Sequence, residues 1–255
     1  MCGIVGYLGK GVAQESLIDG LRRLEYRGYD SAGVAFHEGD RFSMSRETGR
    51  VKNLATTVQQ NKSSSSLGIA HTRWATHGAV TVSNTHPHVS NDGKFVLVHN
   101  GVIENFNTLK KFLIGKGIEF YSETDSEVLC NLIAYHYSEL EPSNDRFVKA
   151  VRMALPQCRG AYGIAVLCLD LPDTMIGARR GSPLVVGLGE EANFIASDAS
   201  AFVGRAKEAV FLNDGELAIL KGSEFRITTL EGHEAQAVAH PVDQISEEVD
   251  LGDFD

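Results

Sequence analysis

Residues 1–7 read MCGIVGY, an apolar, glycine-flanked run directly behind the initiator methionine. A short apolar run bounded by glycine is typical of a strand buried on both faces. If Met1 is removed, Cys2 carries both a thiol and a free α-amine, which titrates at about 7.7 to 8.0, where a general base works well. Cys2 is therefore a candidate nucleophile that brings its own base. The other interpretation is a small buried residue at the start of a strand.

The composition is that of a globular chain with a net acidic charge. Of its 255 residues, 43% are hydrophobic and 22% charged, and 24 Lys+Arg against 33 Asp+Glu give a formal charge of -9. This balance argues against nucleic acid or an anionic membrane as the main partner. No apolar run approaches the roughly 18 to 20 residues of a membrane-spanning helix, and no signal-peptide pattern opens the chain. We therefore expect a cytoplasmic protein with reduced thiols.

The order of predicted elements bears on the fold class. Residues 12–24 and 51–60 have helical apolar spacing, and residues 34–45 read as a hairpin around HEGD. After residue 160 the chain consists of short β-rich runs separated by turn residues. Because these strands lack regular crossover helices, stacked sheets covered by helices fit better than a doubly wound parallel sheet.

The stretch HTRWATHG, residues 71–78, gathers groups suited to a carboxylate ligand. The planar fork of Arg73 can donate two parallel hydrogen bonds to a carboxylate. Thr76 adds a hydroxyl, His77 lies beside it, and Trp74 can exclude water. The alternative is a surface loop in which an arginine packs over an aromatic ring.

The stretch VHNG, residues 98–101, follows an apolar strand. The Asn100 side-chain amide and the Gly101 backbone N–H are a candidate pair of oxyanion donors, and the missing Cβ lets a substrate come close. Asn-Gly is also the strongest short hairpin signal. From this stretch alone a turn is favoured.

The stretch SETDSEV, residues 122–128, places Thr124 and Asp125 at the start of a predicted helix. Both residue types are common N-caps, which is the structural interpretation. The functional interpretation is that the Asp125 carboxylate faces inward and holds a substrate ammonium group.

The histidines raise the question of a metal site. His71, His77, His86 and His88 lie within eighteen positions, but no HExxH or CxxC pattern accompanies them. Phosphate-binding glycine loops are missing as well. We therefore expect no metal and no cofactor.

Five stretches in this order resemble the glutaminase domain of class II glutamine amidotransferases, which are N-terminal-nucleophile hydrolases. They are MCGIVGY, RGYDSAG, HTRWATHG, HNGVIEN and SETDSEV. Within that class, LRRLEYRGYDSAG and RGAYGIAVL are similar to the glucosamine-6-phosphate synthase family. The resemblance implies an α+β fold, a four-layer α/β/β/α sandwich of two antiparallel sheets. It also implies L-glutamine as the substrate.

The resemblance assigns a role to each candidate residue. Cys2 would be the nucleophile, Asn100 and Gly101 would form the oxyanion hole, and Asp125 would bind the α-ammonium of glutamine. The remaining assignments are Arg73, Thr76 and His77 for the α-carboxylate, Trp74 for a mobile loop that closes over the substrate, and Arg27 for support near the N-terminus.

The resemblance also bears on domain organisation. Residues 1–240 would be the glutaminase domain, and the acidic residues 241–255 a linker or truncation edge toward a missing sugar-phosphate isomerase part. That part would bind fructose 6-phosphate, and the full-length enzyme would be a homo-oligomer. Three alternatives stay open: the glutaminase domain of another class II amidotransferase, a non-catalytic glutamine-binding regulatory module, and a metal-dependent hydrolase.

Overall fold

Two antiparallel sheets and five α-helices make up the computed structural model, which describes residues 2–74 and 79–242. The helices are α1 (Ala13–Arg23), α2 (Val51–Gln60), α3 (Phe106–Ile114), α4 (Asp125–Glu139) and α5 (Arg146–Ala154). The strands are β1 (Gly3–Gly9), β2 (Ser31–His37), β3 (Phe42–Thr48), β4 (Leu67–Arg73), β5 (His88–Val89), β6 (Phe95–Ile103), β7 (Gly160–Cys168), β8 (Thr174–Arg180), β9 (Val185–Leu188), β10 (Ala192–Ala196), β11 (Glu208–Phe211), β12 (Glu216–Lys221), β13 (Glu224–Thr229) and β14 (Ala239–Pro241).

The strands divide into an eight-stranded and a six-stranded sheet. The first has the order β14-β11-β9-β10-β1-β4-β2-β3, and the second β13-β12-β8-β7-β6-β5. Each pairing between neighbouring strands is antiparallel. The two antiparallel sheets predicted from the sequence are therefore confirmed, as is the hairpin formed by β2 and β3.

Alternate side chains of the central strands fill different layers. In β1, Ile4 packs between the two sheets, whereas Val5 packs beneath α1 and α2 on the outer face. In β6, Val96 faces the other sheet, whereas Leu97 packs beneath α3, α4 and α5. Each such side chain, fully buried, contributes about 1.5 to 3 kcal/mol. Helices therefore cover both outer faces, which gives the four layers α/β/β/α.

Most predicted elements are present, but the turn at Asn100-Gly101 is absent, and strands β5, β13 and β14 were not predicted. Helix α2 has the predicted bounds, and α4 begins at Asp125 as expected. The turn favoured at Asn100-Gly101 is wrong, because β6 continues through both residues to Ile103. Gly101 is paired there with Tyr162 of β7, so the partner strand overrides the local turn signal.

The end of the described chain is packed against the domain. Pro241 pairs with Glu208 of β11, and Val242 is fully buried among the outer core of the eight-stranded sheet. The predicted acidic linker, residues 241–255, lies outside the described residues from position 243 onward. Of the helices described here, none is long and apolar enough to cross a membrane.

Candidate active site

Cys2 stands directly before β1, at the mouth of a pocket. The N–H of Trp74 donates to its Sγ at 3.2 Å, and the side chain is only partly exposed. Burial raises the pKa of the Cys2 thiol, and the hydrogen bond from Trp74 offsets part of that effect. The thiol rather than the thiolate is therefore the resting form near neutral pH. A base must take its proton before Cys2 can act as a nucleophile.

The backbone at Trp74 is held in place by the loop that contains Gly28. A Cβ at Gly28 would lie 2.7 Å from the carbonyl carbon of Arg73 and 2.8 Å from the nitrogen of Trp74, so only glycine permits this approach. The N–H of Asp30 donates to the Arg73 carbonyl at 3.1 Å. The stretch RGYD thus serves as a platform that presents the Trp74 N–H to Cys2.

Arg27, in the same stretch, lies outside the pocket lining and braces the start of β1 from behind. Its guanidinium donates to the Ser197 carbonyl at 3.2 Å and to Asp198 Oδ2 at 3.0 Å. The Ser197 hydroxyl in turn accepts the N–H of Ile4 at 3.0 Å. This arrangement connects Arg27 to β1, the strand that follows Cys2.

Asn100 and Gly101 reach Cys2 from the other sheet. The Nδ2 of Asn100 donates to the Cys2 carbonyl oxygen at 2.9 Å, so β6 contacts the residue that precedes β1. Gly101 lines the pocket and has φ 132°. A Cβ there would lie 2.1 Å from the Ala161 carbonyl oxygen. Glycine is therefore required at 101 by the backbone itself, which leaves its pocket side open to a ligand.

Asp125 supplies a carboxylate at the far side of the pocket. It is the first residue of α4, and the preceding Thr124 caps the helix by accepting the N–H of Glu127 at 3.2 Å. Asp125 Oδ2 accepts the N–H of Ile103 at 2.7 Å, which fixes the carboxylate against the end of β6. Thr124 therefore caps the helix, and the Asp125 carboxylate is held in the pocket lining.

Arg73 and Trp74 line the same pocket, from the end of β4. Arg73 is almost fully buried, and one of its guanidinium nitrogens donates to the Ala79 carbonyl at 3.3 Å. The Trp74 ring is 42% exposed and packs edge-on against Tyr29, with ring centroids 5.3 Å apart. The other two expected carboxylate ligands, Thr76 and His77, lie outside the described residues.

The pocket has a volume of about 300 Å³, and its lining includes the nucleophile candidate, one cationic side chain and three carboxylates, which are Arg73, Glu104, Glu123 and Asp125. Cys2 and Arg73 lie on its walls together with Gly101 and Asp125. That size is at the small end of ligand sites, which suits a metabolite rather than a polymer. A cation, an anion and a nucleophile in one cleft match a zwitterion that has a reactive distal group.

A group of buried histidines adjoins the pocket, and His86 and His99 form part of its lining, although the sequence assigned none of them a role in binding or catalysis. His71 and His86 have ring centroids 4.1 Å apart, and His88 packs edge-on against His86 at 4.6 Å. Burial lowers the pKa of His71 to about 3 and that of His86 well below its usual range, so both rings are neutral. Within residues 2–74 and 79–242, no group of three or more metal-ligating side chains has the geometry to hold an ion.

His99 extends this group toward Asp125. Its Nδ1 lies 2.9 Å from the Ser126 hydroxyl, which lies 2.8 Å from His86 Nε2. The Ser126 hydroxyl is also 3.3 Å from Asp125 Oδ1. The one clue to His99 in the sequence is its position immediately before Asn100. A buried polar network has no periodic signature, so nothing else in the sequence could have identified it.

Comparisons with known proteins identify the family to which this chain belongs. A family described as "Glutamine amidotransferase domain" matches residues 55–141. The glutamine–fructose-6-phosphate aminotransferase (isomerizing) of Thermus thermophilus is 44% identical over 254 residues, which cover 100% of this chain and 41% of that protein. Its counterpart from Caldanaerobacter subterraneus is 46% identical over 221 residues, covering 87% and 35%. The chain thus spans about two fifths of the length of these relatives.

A solved structure supports the same grouping. The glutamine phosphoribosylpyrophosphate amidotransferase of B. subtilis superposes with a TM-score of 0.74 at 25% identity. The alignment covers 90% of this chain and 49% of that one.

Proposed function

This chain carries a glutamine amidotransferase domain homologous to the glutaminase half of glutamine–fructose-6-phosphate aminotransferases, and from that premise we propose that it hydrolyses L-glutamine to L-glutamate and ammonia. The proposal depends mainly on one observation, which is that Cys2 contacts Asn100 and shares a pocket with Asp125. Cys2 and Asp125 line one pocket, and the Asn100 amide lies 2.9 Å from the Cys2 carbonyl oxygen. Cys2 precedes β1, Asn100 lies in β6 of the other sheet, and Asp125 is the first residue of α4.

The reaction begins with Cys2 after removal of Met1. The freed α-amine takes the thiol proton, directly or through a water, which the raised thiol pKa makes necessary. The thiolate attacks the side-chain carbonyl carbon of glutamine, and the carbonyl oxygen becomes an oxyanion. The Asn100 Nδ2 and the Gly101 N–H stabilise that oxyanion. The protonated amine then returns its proton to the departing nitrogen, and ammonia leaves.

The second half of the reaction releases glutamate. The γ-glutamyl thioester on Cys2 is attacked by water, with the α-amine again as base. The tetrahedral intermediate uses the same oxyanion donors, and its collapse breaks the carbon–sulfur bond. The thiolate recovers the proton through the amine, so Cys2 returns to its resting form.

Substrate selection follows from the charged ends of glutamine. Asp125 binds the α-ammonium, and Arg73 binds the α-carboxylate together with Thr76 and His77. Trp74 covers the site, and Arg27 supports the strand behind Cys2. Because Asp125 and Arg73 fix the charged end of the substrate, the substrate side chain must be long enough to bring its amide to Cys2.

The relatives' name extends the proposal beyond this domain. In the whole protein, ammonia would pass to fructose 6-phosphate bound by a sugar-phosphate part reached through residues 241–255, giving glucosamine 6-phosphate. The whole enzyme would be a cytoplasmic homo-oligomer. The higher identity to these aminotransferases than to the phosphoribosylpyrophosphate amidotransferase favours this acceptor.

Replacing Asp125 by asparagine tests the substrate assignment. We expect KM for glutamine to rise by about tenfold to 150-fold, since a hydrogen bond to a charged group contributes about 1.5 to 3 kcal/mol, while kcat changes less. The control is Asp145→Asn, which makes the same chemical change at the start of α5, where Asp145 is exposed and paired with Lys149. Initial rates of glutamate release over a range of glutamine concentrations provide both constants.

Two results would count against the assignment. An unchanged KM in Asp125→Asn would show that the carboxylate does not bind the substrate ammonium. An equal rise of KM in Asp145→Asn would show that the effect is one of net charge. Glutamine binding without any turnover in the unmodified chain that begins at Cys2 would favour a regulatory binding module instead.

A further inference from the structure

We propose that His71 is a positioning residue that fixes the orientation of the Asn100 side-chain amide, so that its N–H₂ group faces the reaction site. This inference rests on the proposed glutamine hydrolysis and adds a residue to its machinery. His71 lies in β4, within the buried histidine group, and is 1% exposed. It acts through Asn100 and has no contact with the reacting atoms in this account.

Both ends of the Asn100 side-chain amide have a hydrogen-bond partner. Its Nδ2 donates to the Cys2 carbonyl oxygen at 2.9 Å, and its Oδ1 lies 2.9 Å from His71 Nε2. An amide nitrogen carries two hydrogens, so this contact uses one and leaves the second for another acceptor. That second hydrogen is the one an oxyanion would accept.

The hydrogen-bond partners of His71 determine which of its ring nitrogens carries the proton. His71 Nε2 lies 3.1 Å from the His99 carbonyl oxygen as well as 2.9 Å from Asn100 Oδ1. Both partners are acceptors, so Nε2 must be the protonated nitrogen. Among the described residues, the buried Nδ1 of His71 has no hydrogen-bond partner, which agrees with a nitrogen that carries no proton.

The opposite orientation of the Asn100 amide has a free-energy cost. Turning the Asn100 amide over would place its Oδ1 against the Cys2 carbonyl oxygen and its NH₂ against the His71 N–H. Each of two buried hydrogen bonds would become a contact between like groups, at about 1 to 3 kcal/mol for each unsatisfied group. Without His71 only the Cys2 contact would select the orientation. The histidine therefore provides half of the restraint on the oxyanion donor.

The surroundings keep His71 in this state. Burial lowers its pKa to about 3, so the ring stays neutral over the working range. The ring also packs against His86 at a centroid distance of 4.1 Å, which restricts its rotation. A neutral, immobilised ring presents one N–H in one direction, which is what a positioning residue requires.

The test compares His71→Gln with His71→Asn in the 254-residue chain that remains after Met1 is removed, verified to begin at Cys2. A glutamine side chain places an amide N–H near the position of the imidazole Nε2, whereas asparagine ends near Nδ1 and cannot reach Asn100. We expect His71→Gln to retain most of the activity. We expect His71→Asn to lower kcat by about tenfold or more, up to the roughly 10²- to 10³-fold loss of an oxyanion donor, with KM for glutamine near the wild-type value.

A double variant separates positioning from general damage. If His71 acts only through Asn100, then adding His71→Asn to Asn100→Ala causes no further loss of kcat. Thermal unfolding midpoints show which variants are folded, and the comparison of the glutamine and asparagine variants holds size and polarity nearly constant.

The outcomes bear on different claims. An inactive wild-type chain would overturn the proposed function, and the role of His71 with it. An active wild type with equal kcat in His71→Gln and His71→Asn would overturn the role of His71 alone. Losses that multiply in the double variant would do the same, because His71 would then act by a route that does not involve Asn100.

Discussion

Replacing Cys2 by alanine is expected to eliminate glutamine hydrolysis while glutamine still binds. Removing a serine nucleophile in a comparable covalent mechanism lowers kcat by about 10⁶-fold, and a loss approaching that size is expected here. The side chain is partly exposed at the pocket mouth, so its removal leaves the core unchanged. The anchors Arg73 and Asp125 remain, so binding persists. Glutamate release and isothermal titration with glutamine measure the two quantities.

The matched control for this variant is Cys158→Ala. Cys158 is a buried thiol in the core beneath α3, α4 and α5, and it does not line the pocket. Losing one buried thiol there costs little stability, and we expect its kcat to equal that of the wild type. Turnover that survives in Cys2→Ala would contradict the nucleophile assignment. Loss of both turnover and binding would mean that the thiol holds the pocket together instead.

Replacing Asn100 by alanine is expected to cause the second largest loss of activity. We expect kcat to fall by about 10²- to 10³-fold, the loss that follows removal of one oxyanion donor. KM should change little, because the amide stabilises charge that develops only in the transition state. The Gly101 N–H remains as the second donor, so activity is reduced rather than eliminated. Steady-state kinetics of glutamate release separate the two constants.

The control for the Asn100 variant is Asn193→Ala. Asn193 is a buried amide in β10 that donates to the Ser223 carbonyl at 3.3 Å, outside the pocket. It makes the same kind of contact as Asn100 without the proposed chemical role. A fall of kcat in Asn193→Ala as large as that in Asn100→Ala would show that loss of any buried amide is enough. A rise in KM with unchanged kcat in Asn100→Ala would place the amide in ground-state binding.

Much of the fold could be predicted because local patterns and partner strands agree. The hairpin of β2 and β3 carries its own turn, and α2 has clear apolar spacing, so both follow from short stretches. Strand β13 was not foreseen, although Phe225 and Ile227 alternate with polar residues in a short, half-exposed stretch. It pairs with β12 in a hairpin closed by Gly222-Ser223, a two-residue turn that the sequence analysis overlooked.

The site shows the same division between local and non-local information. The residue types at Cys2 and Asp125 indicated chemistry, but the sequence alone could not bring them to one pocket. At Asn100-Gly101 the local signal favoured a turn, and the pairing of Gly101 with Tyr162 keeps the residue in a strand instead. The sequence marked His71 only as one of four clustered histidines, and nothing in it linked His71 to Asn100. Its place beside Asn100 follows from the pairing of β4 with β1 and the stacking of the two sheets.

The most direct measurement of the central claim is glutamate release from L-glutamine by the chain, with mass spectrometry confirming that it begins at Cys2. L-Asparagine, one methylene shorter, serves as the control substrate, because fixed anchors for its charged ends would hold its amide short of the thiol. We expect glutamate release from L-glutamine and no hydrolysis of L-asparagine. No release from glutamine by a folded chain that begins at Cys2, or equal release from both amides, would contradict it.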